Sequence, residues 1–214
     1  SLILFGFCKC TGRELGFALR QHVMFLLLGA LLFGINYMLA YRSQVYTTSA
    51  MTAIAFSTML WMNIINARLF FGVRASRSVI VGAAFGIVGI TTLFAPEINE
   101  FSLDDGAVIG VVLAMSSAFV ASLGNMASQR AQKDNLPVVQ SNAWGMLYGS
   151  ALSALYAAMS DYEFTFDWSA SYLVSLGYLV VFGSILAFGA YLTLLERIGA
   201  HRAGYAIVKL PQFA

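Results

Sequence analysis

An all-α, polytopic membrane protein is the fold class that this sequence predicts, and three observations predict it. The 214 residues are 59% hydrophobic and only 10% charged, with a mean hydropathy of +0.77; a soluble domain of that make-up would have too little polar surface to wet. Apolar runs long enough to cross ~30 Å of hydrocarbon at ~1.5 Å per residue recur along the whole length. Apart from Arg42 and Lys209, Lys and Arg fall in alternate connections between those runs, the signature of a chain threaded back and forth through a bilayer.

The elements follow in order. The opening "SLILFGF" reads as the tail of an earlier span (Leu2 to Phe7) within a longer protein, not as a signal peptide. Six complete spans are expected: Val23 to Ala40, Val45 to Phe71, Ser78 to Ala95, Ala107 to Ala127, Ser141 to Met159 and Tyr172 to Leu195. Ala203 to Ala214 begins a further one. Pro96, Pro137 and Pro211 sit near span edges, where a missing backbone donor is least felt. Cys8 and Cys10 form a C-x-C beside Lys9 with no nearby His to complete a metal site, so plain reduced thiols are expected, and no cofactor is implied.

Sorting the cations by connection gives the orientation. Lys9, Arg13 and Arg20 precede the first complete span; Arg68, Arg74 and Arg77 follow the second; Arg130 and Lys133 follow the fourth; Arg197 and Arg202 follow the sixth. The intervening connections carry Arg42 alone, then Glu97, Glu100, Asp104 and Asp105, then Asp161, Glu163 and Asp167. The basic side is therefore read as cytoplasmic, with Tyr41, Tyr46, Trp168 and Tyr172 at the outer boundary. The stretch "LLERIGAHRAGYAIV" becomes a cytoplasmic turn. Its Glu196, Arg197 and Arg202, like Arg42 in the outer turn, are assigned to setting topology, with gating as the sharper alternative.

A weak internal repeat accompanies this pattern. At an offset of 154 residues, "GALLFGINYMLAYRSQVYTTSAMTAI" faces "GSILAFGAYLTLLERIGAHRAGYAIV", matching Gly29 with Gly183, Leu32 with Leu186 and Tyr37 with Tyr191. The first window turns outside and the second inside, so the copies would be inverted, as in many secondary transporters.

With these residues on the page, a resemblance is visible. "YTTSAMTAIAFSTMLWMNIINARLFFG", "GAAFGIVGI", "LAMSSAFVASLGNMASQR", "LPVVQSNAWGMLYG" and "VFGSILAFGAYLTLLERIGAHRAGYAIV" together resemble the EamA-like branch of the drug/metabolite transporter superfamily. The resemblance implies ten helices in two inverted five-helix repeats with both termini cytoplasmic. Residues 1–95 would then be the end of the first repeat (tail of helix two, helices three to five), and 107–214 the second (helices six to eight and the start of nine). One departure is that "KLPQFA" places Lys209 inside a span where the family continues apolar.

No carboxylate or histidine lies in mid-span; His22 and His201 are both at edges. A buried acidic proton relay is therefore not expected in these spans. Neutral polar and aromatic groups are the substrate-binding candidates: Asn36, Tyr37, Ser57, Thr58, Trp144, Tyr148, Ser184 and Tyr191, with Asn63, Asn125 and Asn142 also on inward positions. Amides and hydroxyls would orient a small polar or zwitterionic solute while aromatic rings cover its apolar part. The plainer role for each is interhelical bonding worth roughly 0.6 kcal/mol. Gly82, Gly86 and Gly89, and Gly145 with Gly149, read as close-packing faces, with a homodimer seam as the alternative.

A retinal protein would use Lys209 but lacks an in-bundle counter-ion. An intramembrane hydrolase lacks both a G-x-S-x-G and an in-span base. A non-transporting scaffold or receptor is the remaining rival. The expectation is a non-enzymatic secondary transporter, an exporter or permease of a small metabolite such as an amino acid or derivative, in the bacterial inner membrane. Its partners would be the lipid bilayer and its solute, with no nucleic acid.

Overall fold

The computed structural model describes residues 1–96, 105–160 and 166–198, and these form seven helices with no strand among the described residues. They are α1 (Leu2–Cys10), α2 (Leu19–Ser43), α3 (Ser49–Phe71), α4 (Arg77–Leu93), α5 (Asp105–Lys133), α6 (Val138–Met159) and α7 (Ala170 to Ile198). Each of the six expected complete spans holds a helix, although Val45 to Thr48 precede the start of α3. Four of the seven, namely α2, α3, α5 and α7, are long and apolar enough to cross a membrane, two fewer than the six expected. The shortfall has two causes. Helix α4 is 17 residues long, and α6 spends its first half on Gln140, Ser141, Asn142, Trp144 and Tyr148.

Capping chemistry places the boundaries beyond the apolar runs. Helix α2 starts at Leu19, where the Gln21 side chain accepts from the Ala18 N–H at 2.7 Å, the one half of a capping box that an alanine N-cap allows. Thr48, Ser76 and Ser169 open α3, α4 and α7 by accepting from the backbone N–H three residues on. Gly72 (φ 67°) and Asn135 (φ 58°) close α3 and α5 in the left-handed region. Helix α5 thus extends through Arg130 and Lys133, so these cations ride on a last helical turn instead of a loop. The same holds for Arg42, Arg68 and Arg197, where positive charge also complements the helix dipole.

Helix α5, 29 residues long, is the axis. Its neighbours are the end of α2, both halves of α3 and the last part of α7, while α6 lies against α2 and α1, and α4 touches α3 at the periphery. The closest seam joins α2 to α6. A Cβ on Gly29 would run into the Gly145 carbonyl, and one on Gly149 would stand 2.7 Å from the Gly29 carbonyl oxygen; the three glycines let two backbones touch. Gly145 and Gly149 therefore serve packing within the chain. Gly89 differs: a Cβ there would meet open space.

Three helices depart from regular α geometry. Helix α3 bends at Thr58, where Ser57 Oγ bonds the Ile54 carbonyl and Thr58 Oγ1 the Ala55 carbonyl, both at 2.6 Å. Helices α2 and α7 each contain a π-helical segment, Gly29–Ile35 and Leu179–Ala187. Such segments are rare and cluster at functional positions.

Candidate functional site: a neutral polar centre on the axial helix

Helix α5 carries a polar stripe through an otherwise apolar bundle. Ser117, Ser122, Asn125 and Ser128 recur at near-helical spacing and are all buried, flanked by buried Ala114, Ala118 and Ala121. The alanines draw neighbouring helices close, which removes the serines and asparagine from lipid. Each polar rung must then find a partner or pay a desolvation cost of about 1–3 kcal/mol.

The rungs are matched one by one. Ser117 Oγ donates to Asn36 Oδ1 of α2 at 2.7 Å, and Asn36 Nδ2 reaches back to the Leu32 carbonyl at 3.3 Å. Asn66 of α3 donates to Ser122 Oγ at 2.9 Å. Asn125 Nδ2 donates to Asn63 Oδ1 of α3 at 3.3 Å and lies 3.9 Å from Met59 Sδ. Near the basic end, Gln132 Nε2 bonds the Leu192 carbonyl of α7 at 3.1 Å.

The middle rung is incomplete. Asn63 Nδ2, Asn125 Oδ1 and the Tyr191 hydroxyl are all buried without a hydrogen bond of good geometry. Yet the Tyr191 oxygen lies close enough to both carboxamides to interact with them. Three helices, α3, α5 and α7, thus bring a donor, an acceptor and a hydroxyl together without a well-formed bond for any of the three. The centre is neutral; no Asp, Glu, Lys, Arg or His is buried among the described residues.

A second cluster occupies the first half of α6. His22 Nδ1 and the Tyr148 hydroxyl are 2.8 Å apart, and Trp144 Nε1 donates to the Leu15 carbonyl at 3.3 Å. The rings interlock: Trp144 stacks on Tyr148 and meets the edges of His22 and Phe5 at 4.5 and 5.0 Å between centroids.

The candidates read from sequence therefore separate. Tyr191 joins Asn63 and Asn125 in the neutral centre. Asn36 is held by Ser117 one level away, and Tyr37 stacks on Tyr41 with its ring tilted against Phe188. Ser57 and Thr58 spend their hydroxyls on their own helix. Trp144 and Tyr148 belong to the His22 cluster, and Ser184 is half-buried in the π segment of α7. Arg42 and Arg197 are exposed at helix ends, whereas Arg202, His201, Lys209, the acidic residues at 97, 100, 104, 161 and 163, and the side chain of Glu196 lie outside the described residues.

Sequence reasoning did not single out His22, Asn66, Ser122 or Gln132. Spacing held a signal for the α5 residues, since Ser122, Asn125, Ser128 and Gln132 follow one another at steps of three, three and four residues. His22 had none, because an edge position marks lipid headgroup and ring cluster alike.

Comparison with known proteins completes the picture. The EamA-like transporter family matches residues 108–213, covering α5, α6 and α7. This second half of the chain is similar to that family, which lies within the drug/metabolite transporter superfamily. No curated protein matches the chain.

Proposed function

We propose that this EamA-like, multi-pass membrane protein is a secondary transporter of a small neutral or zwitterionic metabolite, an amino acid or derivative, working by alternating access in a bacterial inner membrane. The carrying observation is the convergence of Asn63, Asn125 and Tyr191 from three helices, with Asn63 Nδ2, Asn125 Oδ1 and the Tyr191 hydroxyl buried and in no well-formed hydrogen bond. A purely structural centre would be selected to satisfy itself, because an unpaired buried group is a net loss. A transport site gains by leaving a donor and an acceptor for a solute that must also let go. Neutral lining favours a solute without net charge, since no buried ion is there to offset its desolvation.

The two π segments support an architecture of ten helices in two inverted five-helix repeats, with residues 1–95 from one and 107–214 from the other. At the 154-residue offset, Gly29–Ile35 overlays Gly183 to Gly189, so the two departures from α geometry overlap. Rocking of repeat-related bundles would open the centre to either face. Arg42, Glu196, Arg197 and Arg202 then sit at opposite mouths, setting orientation or gating.

The test is flux in proteoliposomes, with solutes first chosen by thermal shift across amino acids and related metabolites. Tyr191→Phe is expected to lower uptake about fivefold, the worth of one hydrogen bond of ~1 kcal/mol. Its melting temperature should stay unchanged, because that hydroxyl makes no well-formed bond to the protein. Asn125→Leu should abolish uptake. Absence of binding and flux for every solute tried would remove the transporter reading.

A further inference from the structure

At the basic end of the bundle, a cleft of roughly 620 Å³ separates the start of α2 from the turn between α5 and α6. Its rim carries Arg20, Arg130 and Lys133 against one carboxylate, Asp134, and its floor is apolar, with Met24 and Leu136. Below that floor lies a packed core of Phe25, Ala131 and Leu136.

From this arrangement we propose that the cleft binds the phosphate headgroup of an anionic phospholipid. Three features favour that occupant. The charge is in excess and partly prearranged: Arg130 is held by Asp134 at 3.3 Å, and the Lys133 ammonium sits 4.2 Å from the Phe71 ring centroid. The first turn of the 25-residue α2 opens at the cleft, and a helix start adds positive potential and N–H groups without intrahelical partners. Apolar side chains continue from the rim along α2: Leu19, Val23, Leu26 and Leu27 are 83%, 59%, 50% and 47% exposed. A headgroup seated among the cations would lay its acyl chains along that strip, whereas a free phosphate has no use for it. Basic pockets between spans are suited to such headgroups.

The proposal rests on the chain spanning a bilayer and not on what it transports. The test is the ratio of phosphatidylglycerol to phosphatidylcholine retained after purification from mixed vesicles, read by mass spectrometry. The wild type should be enriched in phosphatidylglycerol, and Arg20→Gln with Arg130→Gln should reduce the ratio about fivefold for each cation removed. Arg74→Gln with Arg77→Gln, an equal loss of charge on the same side, should leave it unchanged, as should Arg20→Lys with Arg130→Lys. Should the glutamine pair fail to fold, a photo-crosslinking residue in place of Met24, which lines the cleft, should label phosphatidylglycerol over phosphatidylcholine in the otherwise native chain. Equal labelling of both lipids, or an equal drop for the Arg74 and Arg77 pair, overturns the proposal. Release of the lipid by millimolar inorganic phosphate overturns it in favour of a free-phosphate site.

Discussion

Two stretches of this chain adopt the same uncommon backbone in opposite surroundings. The π segment of α2, Gly29–Ile35, has Gly29, Leu32 and Gly34 buried, while that of α7, Leu179–Ala187, has no buried residue. The first is pressed against Gly145 and Gly149 of α6; around the second, a Cβ on Gly183 would find one atom, Leu179 Cδ2, at 3.8 Å. Backbone contact alone therefore does not explain the unwinding, since the α7 segment meets its described neighbours only through half-buried side chains such as Ile185. What packing adds is a clamp. One π segment is locked backbone to backbone to its partner helix, whereas its counterpart on α7 meets the described helices through side chains, Ile185 packing against Leu4, Ala143 and Met146, an asymmetry that a bundle rocking about one fixed element would use.

The sharpest way to break this contrast is the same substitution at the aligned glycines. Gly29→Ala should destabilise by about 3 kcal/mol, the upper end for overpacking, because the new methyl meets backbone and not a side chain that can swing away. Thermal unfolding in detergent will show a clear drop. If Gly29→Ala and Gly183→Ala melt alike, the clamp does not exist.

A smaller effect is expected at the residue that ends each segment's reach. Asn36 is anchored to Ser117 at 2.7 Å, whereas its counterpart at the same offset, Ala190, is exposed. Ser117→Ala leaves Asn36 Oδ1 buried without its donor and should cost about 1–2 kcal/mol, read from the same unfolding curves. Ala190→Ser should stay within about 0.5 kcal/mol of the parent. A neutral Ser117→Ala would mean that the α5 stripe does not hold α2.

The contrast also explains what could be read before the fold was known. Helices were legible because lipid demands apolar runs, and their ends because Gly72, Asn135 and the Thr48, Ser76 and Ser169 caps have local chemistry. The small-xxx-small pair Gly145 and Gly149 announced a close approach, but its partner Gly29 lies more than a hundred residues away, and no local pattern names it. The π segments left no mark, because hydrogen-bond register is a property of three-dimensional strain and not of hydropathy. The site was half legible. Asn63, Asn125 and Tyr191 stood among eleven polar or aromatic candidates, and only the helix arrangement separates these three from Ser57 and Thr58, whose hydroxyls turn back on their own backbone. Trp144 and Tyr148 share the chemistry of that centre but not its place, since their ring partners are His22 and Phe5.

The mildest expected change is the most informative about mechanism. Gly183→Ala places its methyl in ordinary contact, 3.8 Å from Leu179 Cδ2, so nothing among the described residues resists it. Alanine in place of glycine lowers the entropy lost on forming a helix and should raise stability by up to about 1 kcal/mol. Were the α7 segment a passive irregularity, uptake in proteoliposomes would be unchanged or slightly improved with the better fold. Were it the moving counterpart of a clamped α2, the same methyl would stiffen the segment that has to shift, and uptake would slow while the melting temperature rose. That opposed pair of signs is the expected outcome. A rise in both would leave the α2 clamp intact and remove α7 as its mobile partner.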